Sequence, residues 1–139
     1  MNAARVSAKG WWAVGLASVG VLWTAALIPG AFFFPAYRGE TLTPGGARTH
    51  TTATLVGVNG LWVVTPFVLF LCLSVVAWVG LHASCATGSR RWRTVGNVAA
   101  GLLAAAAILT FSAGFLAIPA ALLVVVAAAL TPARQAREM

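Results

Sequence analysis

Acidic residues are almost missing from this chain: Glu40 and Glu138 face nine Lys or Arg across 139 residues. No paired-carboxylate site for acid–base chemistry can be assembled from them. Charged residues of either sign make up 8% of the sequence, where a water-soluble domain keeps about a quarter. That shortage argues against an ordinary soluble fold. Cysteine is scarce too. Cys72 and Cys85 form neither a CxxC nor a metal-ligand spacing, and on one helix they would stand about 20 Å apart, too far to bridge. No phosphate loop or nucleophile elbow is present.

What the chain has instead is apolar length. Hydrophobic residues make up 60% of it, and its mean hydropathy is +0.92. The formal net charge of +7 would suit nucleic acid or a membrane surface. The basic residues cluster at the ends of apolar runs, and no RNA-reading motif accompanies them, so a lipid bilayer is the expected partner and nucleic acid is not.

Four runs are expected to be spans, at about 11–35, 60–82, 95–113 and 115–132, within a single membrane domain covering 1–139. The first follows Arg5 and Lys9 but exceeds the apolar core of a signal peptide, so it reads as an uncleaved span. Pro29-Gly30 predicts that its continuous helix stops near Ile28, with Phe32, Phe33, Phe34 and Tyr37 as an aromatic shelf beyond. Residues 36–59 form the one large loop, where Thr51–Val56 can pair with Thr41–Thr43 across Pro44-Gly45-Gly46. Pro66 lies near the start of the second span, where proline disrupts least. Ser89–Arg93 reads as a basic connector. After it, Val95–Leu130 is apolar for 36 residues, about 54 Å as one helix against a hydrocarbon core of about 30 Å. A reversal at Ser112-Ala113-Gly114 is therefore expected.

No Asp, Glu, Lys, Arg or His falls in the interior of a run, His82 standing at the end of the second, which leaves the usual marks of a proton or ion pathway missing. His82 and Cys85 are too few ligands for a structural zinc site. No catalytic, cofactor-binding or metal-ligating residue is expected, and no cofactor. The candidates are contacts. Gly96, Ala100 and Ala104 form one small-residue ridge, continued by Ala107, and Gly101 with Ala105 forms a second; such ridges let helices approach closely, either within the bundle or against another subunit. Asn59 can cap the second span or bond between helices, and Asn97 can bond between helices. Glu40, Arg48 and His50 are candidate contacts in the loop. Trp11, Trp12, Arg90, Arg91, Trp92 and Arg93 suit a headgroup region as anchors.

Known small membrane families fit poorly. The chain lacks the first-span glutamate of small multidrug transporters, the paired cysteines of quinone-linked thiol oxidoreductases, and the cysteine pair that accompanies Gly-Leu-Trp in claudin-like proteins, despite Gly60-Leu61-Trp62. Tyr37-Arg38-Gly39, the Thr-rich loop and Thr54–Gly60 leading into a proline-bearing span resemble small alanine-rich four-span membrane proteins of unknown function in high-GC bacteria. That resemblance implies topology and brings no activity.

The expectation is an all-α antiparallel four-helix transmembrane bundle, with one larger external loop that can hold a short β-hairpin. It is placed in the inner (plasma) membrane. The leading role is a non-enzymatic accessory or scaffold subunit that meets a membrane protein partner or a second copy. The alternative is a small transporter or channel for a neutral or lipidic solute. A membrane-bound enzyme is the least supported class, because the needed constellation is missing. With four spans, Arg5, Lys9, Arg90, Arg91, Arg93, Arg134 and Arg137 share one side and leave Arg38 and Arg48 on the other; the positive-inside rule then makes both termini cytoplasmic. A fluorescent protein fused after Met139 should glow and a secreted-type phosphatase fused there should stay inactive. The reverse pattern would leave three spans.

Overall fold

The computed structural model describes residues 8–46 and 48–131. Arg5, Arg134 and Arg137, on which part of the charge reading rests, lie outside the described residues. The elements in chain order are α1 (Ala8–Phe33), β1 (Pro35–Leu42), β2 (Arg48–Thr54), a short α2 (Leu55–Asn59), one 3₁₀ turn (Leu61–Val63), α3 (Val64–Thr87), α4 (Arg90–Leu109) and α5 (Phe111–Leu130). The chain is mostly helical. By length and composition α1, α3 and α4 are long and apolar enough to cross a membrane, at Gly10–Phe33, Leu61–Thr87 and Arg90–Leu109.

Several boundaries differ from the sequence expectation. α1 runs on through Pro29 to Phe33. Pro29 removes one ladder bond to Ala25, but its ring is exposed, and Leu27, Ile28 and Ala31 beyond and beside it pack into the core with Phe67 and Phe70. Side-chain packing on the inner face thus carries the helix past the break. α3 extends to Thr87, so His82 and Cys85 are both helical. Its end is set by Gly88, which takes φ 67° and donates its N–H to Ser84 O at 2.9 Å. The expected basic connector is absorbed into the first turn of α4, because Arg90–Arg93 are helical and only Gly88-Ser89 link the helices.

The reversal in the long apolar run falls at Thr110, four residues before Gly114. Thr110 takes φ −90°, ψ 38°, and both its N–H and its hydroxyl donate to Ala106 O, at 3.0 and 2.7 Å, so the helix closes on a doubly bonded carbonyl as the chain turns. Gly114 matters for another reason. A Cβ there would collide with the carbonyl of Ala107, so glycine lets α5 fold back directly against α4. The expected break is real; the residue that turns the chain and the residue that permits the contact are different ones.

The long helices pack as an antiparallel ring. α1 touches α3 and α5, α4 touches the same two, and α1 and α4 stand at opposite corners. The interior is built from small residues: eleven of the sixteen buried apolar side chains among the described residues are alanine. The tightest crossing is between α3 and α4, where a Cβ on Gly80 would lie 2.6 Å from Gly96 N and 2.7 Å from its Cα. α1 meets α5 in the same way at Gly20, whose added Cβ would lie 2.8 Å from a Val124 methyl. Phe67, Phe70, Leu81 and Leu103 fill the remaining width. Large apolar side chains otherwise point outward, as with Leu22 at 69% and Phe115 at 72% exposure. So much outward apolar surface suits hydrocarbon better than water.

Gly80→Val should therefore lower stability in detergent by about 1–3 kcal/mol, the usual range for an overpacked contact. Gly15→Ala, where an added Cβ meets nothing within 4 Å, should be neutral or gain up to about 1 kcal/mol from helix propensity. Equal losses for the two variants in a chemical unfolding titration would contradict the close α3–α4 crossing.

Candidate interaction surfaces

The hairpin between α1 and α2 is larger than the sequence suggested. β1 and β2 pair antiparallel from Leu42↔Arg48 through Thr41↔Thr49, Glu40↔His50, Gly39↔Thr51, Arg38↔Thr52 and Tyr37↔Ala53, with a register shift before Pro35↔Thr54. Thr43–Gly46 close the turn: Gly46 donates its N–H to Thr43 O at 2.9 Å and takes φ 78°, while Pro44 supplies the fixed φ that suits the second turn position. Leu55 and Val56 are not strand residues, contrary to expectation. Thr54 caps α2 instead, its hydroxyl accepting from Gly57 N at 3.1 Å, and this starts a helix where a β-branched run would have continued the strand.

The register sorts the loop candidates. Glu40 and His50 are direct partners, with His50 Nδ1 3.4 Å from Glu40 Oε1 and both side chains well exposed. Arg48 is two residues from His50 on the same strand face, opposite Leu42. Arg38, Glu40, His50 and Thr52 line one shallow depression on the hairpin. Exposed side-chain contacts of this sort contribute about 0–1 kcal/mol even when both groups are charged, so the three candidates form a solvated polar face and do little to hold the fold.

Asn59 neither caps the second long helix nor bridges long helices. It is the last residue of α2, and its Nδ2 donates to Tyr37 OH and to Leu55 O, each at 3.1 Å. It thereby ties the hairpin to the segment that enters α3. Asn97 is exposed on α4 and makes no side-chain hydrogen bond among the described residues. The polar bonds that do link long helices come from tryptophan. Trp78 Nε1 donates to Ser18 Oγ at 2.9 Å, joining α3 to α1, and Trp23 Nε1 donates to Leu116 O at 2.9 Å, joining α1 to α5. Ser18 can accept because its own proton goes to Val14 O at 2.9 Å.

The two small-residue ridges of α4 separate cleanly. Gly96 and Ala100 are buried, Ala104 is half-buried and Ala107 is buried again, so this ridge faces α3 and α5. Gly101 and Ala105 are exposed, and an added Cβ on Gly101 meets nothing within 4 Å. With Asn97, four residues before Gly101, they form a shallow outward stripe that the bundle does not use. Gly80, the partner of Gly96, was missed in the sequence although Ser74, Ala77, Gly80 and Ser84 repeat at spacings of three and four, the same signal as on α4. The Trp78–Ser18 and Trp23–Leu116 bonds join residues 60 and 93 positions apart and had no local signal.

The anchors gather at one end. Antiparallel packing brings Trp11 and Trp12 of α1 to the end where α4 opens with Arg90, Arg91, Trp92 and Arg93, and all but the half-buried Arg93 are exposed. His82 lies near the same end and stacks on Trp78 at 5.5 Å. Three arginines in a helix's first turn, with no acid there, oppose the positive end of the helix dipole, a cost of about 0.3–1 kcal/mol each. Phosphate groups placed there would offset that cost, since they bind arginine and helix N-termini alike. Among the described residues no group of three or more His, Cys, Asp or Glu is placed to hold a metal ion.

Tyr37→Phe removes the phenolic acceptor of Asn59 and should loosen the hairpin's attachment by about 0.5–1.5 kcal/mol. Amide exchange should quicken in Arg48–Thr54 and stay unchanged in α3 and α4. Uniform quickening would mean the hairpin and bundle open together. Comparison with family models, curated proteins and solved structures finds no match to this chain.

Proposed function

We propose that the chain is a four-span plasma-membrane protein with both ends cytoplasmic, acting as a non-enzymatic accessory or scaffold subunit. α5 has 20 residues, about 30 Å, enough for a fourth crossing. The distribution of charge supports the orientation: Arg90, Arg91 and Arg93 stand at one end of the bundle, and Arg38 and Arg48 at the other.

The observation that carries the scaffold role is the outward stripe of Asn97, Gly101 and Ala105. Small residues on a lipid-facing surface add nothing to the bundle's own packing, yet they are what a second helix needs for close approach, and an asparagine there gains a hydrogen-bond partner on association. A solute pathway draws less support. The two asparagines it would most naturally use, Asn59 and Asn97, lie on the hairpin side and the outer surface.

Purification in a mild detergent should recover a stoichiometric complex or defined oligomer. Gly101→Leu together with Ala105→Leu should release the partner while leaving the unfolding midpoint within a few degrees of wild type. A monodisperse monomer from wild type, with no partner, would sink the scaffold reading.

A further inference from the structure

The hairpin is a two-stranded sheet on an exposed limb. Every residue of β1 is exposed, and on β2 only Ala53 and Thr54 are partly covered. Two strands alone are marginal in water, and three or more are the usual requirement for independent stability. An exposed edge strand is also a template for another strand. The question is which edge, and for which partner.

The inward hydrogen bonds fix the outer edge. Gly39 O accepts from Thr51 Oγ1 at 3.3 Å and Thr41 O from Thr49 Oγ1 at 3.4 Å, so these two carbonyls turn toward β2. Main-chain groups alternate in direction along a strand. The N–H and C=O of Arg38, Glu40 and Leu42 therefore point outward. Arg38 and Glu40 sit two apart, on one face, with opposite charge and Gly39 between them.

We propose that the free edge of β1 pairs antiparallel with β1 of a second copy of this chain, about a two-fold axis at Gly39, so that Arg38 of each copy faces Glu40 of the other. In that register the outward main-chain groups of Arg38 and Glu40 form the hydrogen-bonded pairs. Gly39 then meets its own counterpart in the close, non-hydrogen-bonded position, where the missing side chain removes crowding. The result is a four-stranded sheet with two reciprocal ion pairs. The contact is isologous and closes on two copies. The outer edge of β2 offers no such match: it carries Arg48 and His50 with no acid, so self-pairing there sets like charges near one another. The inference rests on the scaffold reading for its biological role and names one partner for it; the contact itself uses neither the α4 stripe nor the span count.

Charge reversal tests it on the full-length protein in detergent, with molar mass and co-purification of differently tagged copies as readouts. Wild type should be dimeric. Arg38→Glu and Glu40→Arg should each be monomeric, since each variant sets like charges across the axis. Mixed together they should co-purify one to one, because one chain then offers two acids where the other offers two bases. The double variant Arg38→Glu/Glu40→Arg should dimerise with itself. Retained dimers in both single variants, or no rescue on mixing, would overturn the proposal. Gly39→Cys in a Cys72→Ser/Cys85→Ser background gives an independent reading: paired Cα atoms about 4.5 Å apart lie within bridging range, so oxidation should yield a covalent dimer. Thr52→Cys on the far strand should not. No covalent dimer at position 39 would also overturn it. If Gly101→Leu/Ala105→Leu abolishes a homodimer that Arg38→Glu leaves intact, the β1 contact fails while the scaffold reading stands; if the stripe variant loses only a complex with a different protein and keeps the homodimer, both stand.

Discussion

Backbone-to-backbone approach at small residues is the constraint on which the rest of the bundle depends. Where Gly80 crosses Gly96, a carbon added to Gly80 would overlap the Gly96 backbone, and one added to Gly96 would press on Leu81 at 3.1 Å. Gly114 against the Ala107 carbonyl repeats the arrangement between α4 and α5, and Gly20 makes room for a Val124 methyl between α1 and α5. Close approach of this kind maximises dispersion contacts and does not need water to drive it. It also fixes the ring order, because each helix must turn its small-residue stripe inward and so sends its large side chains out.

The outward side chains then dictate the surroundings. Leu22, Ile108, Leu109, Phe115 and Leu122 form a surface that lipid chains can cover and water cannot. Tryptophans at both functions of the surface follow from the same logic. Trp11, Trp12 and Trp92 stand at the basic end, while Trp23 and Trp78 spend their indole protons on a neighbouring helix, where an unpaired N–H would be costly. Polar groups inside the bundle are few and short. Thr24 and Thr131 return their hydroxyls to their own helix, and the fully buried Ser74 Oγ has no partner among the described residues.

The hairpin stands outside this economy. It is held by the antiparallel ladder between β1 and β2, the Thr43–Gly46 turn and threonine hydroxyls on Gly39 and Thr41, and it meets the helices through the Tyr37–Asn59 bond and the Thr54 cap. Little of that depends on the bundle. A limb so lightly attached, with an edge whose charges match their own reversal, is suited to meeting another copy where the packed helices are not.

The existence of the apolar helices, the loop, the turn at Pro44-Gly45-Gly46 and the small-residue ridges of α4 were determined by the sequence itself, because length, hydropathy and spacing are local properties of the chain. The ends of the elements were decided elsewhere. α1 passes Pro29 because Leu27, Ile28 and Ala31 find the core, and Thr54 diverts Leu55 and Val56 into a helix through a single cap. The reversal moved from Gly114 to Thr110 because turning the chain and admitting a close neighbour are separate demands, and only the packed hairpin shows which residue meets which. The inward or outward sense of the two α4 ridges, the Glu40–His50 pairing and the tryptophan bonds across 60 and 93 residues likewise belong to the tertiary structure. Periodicity states which residues share a face; only the neighbouring helices settle what that face meets.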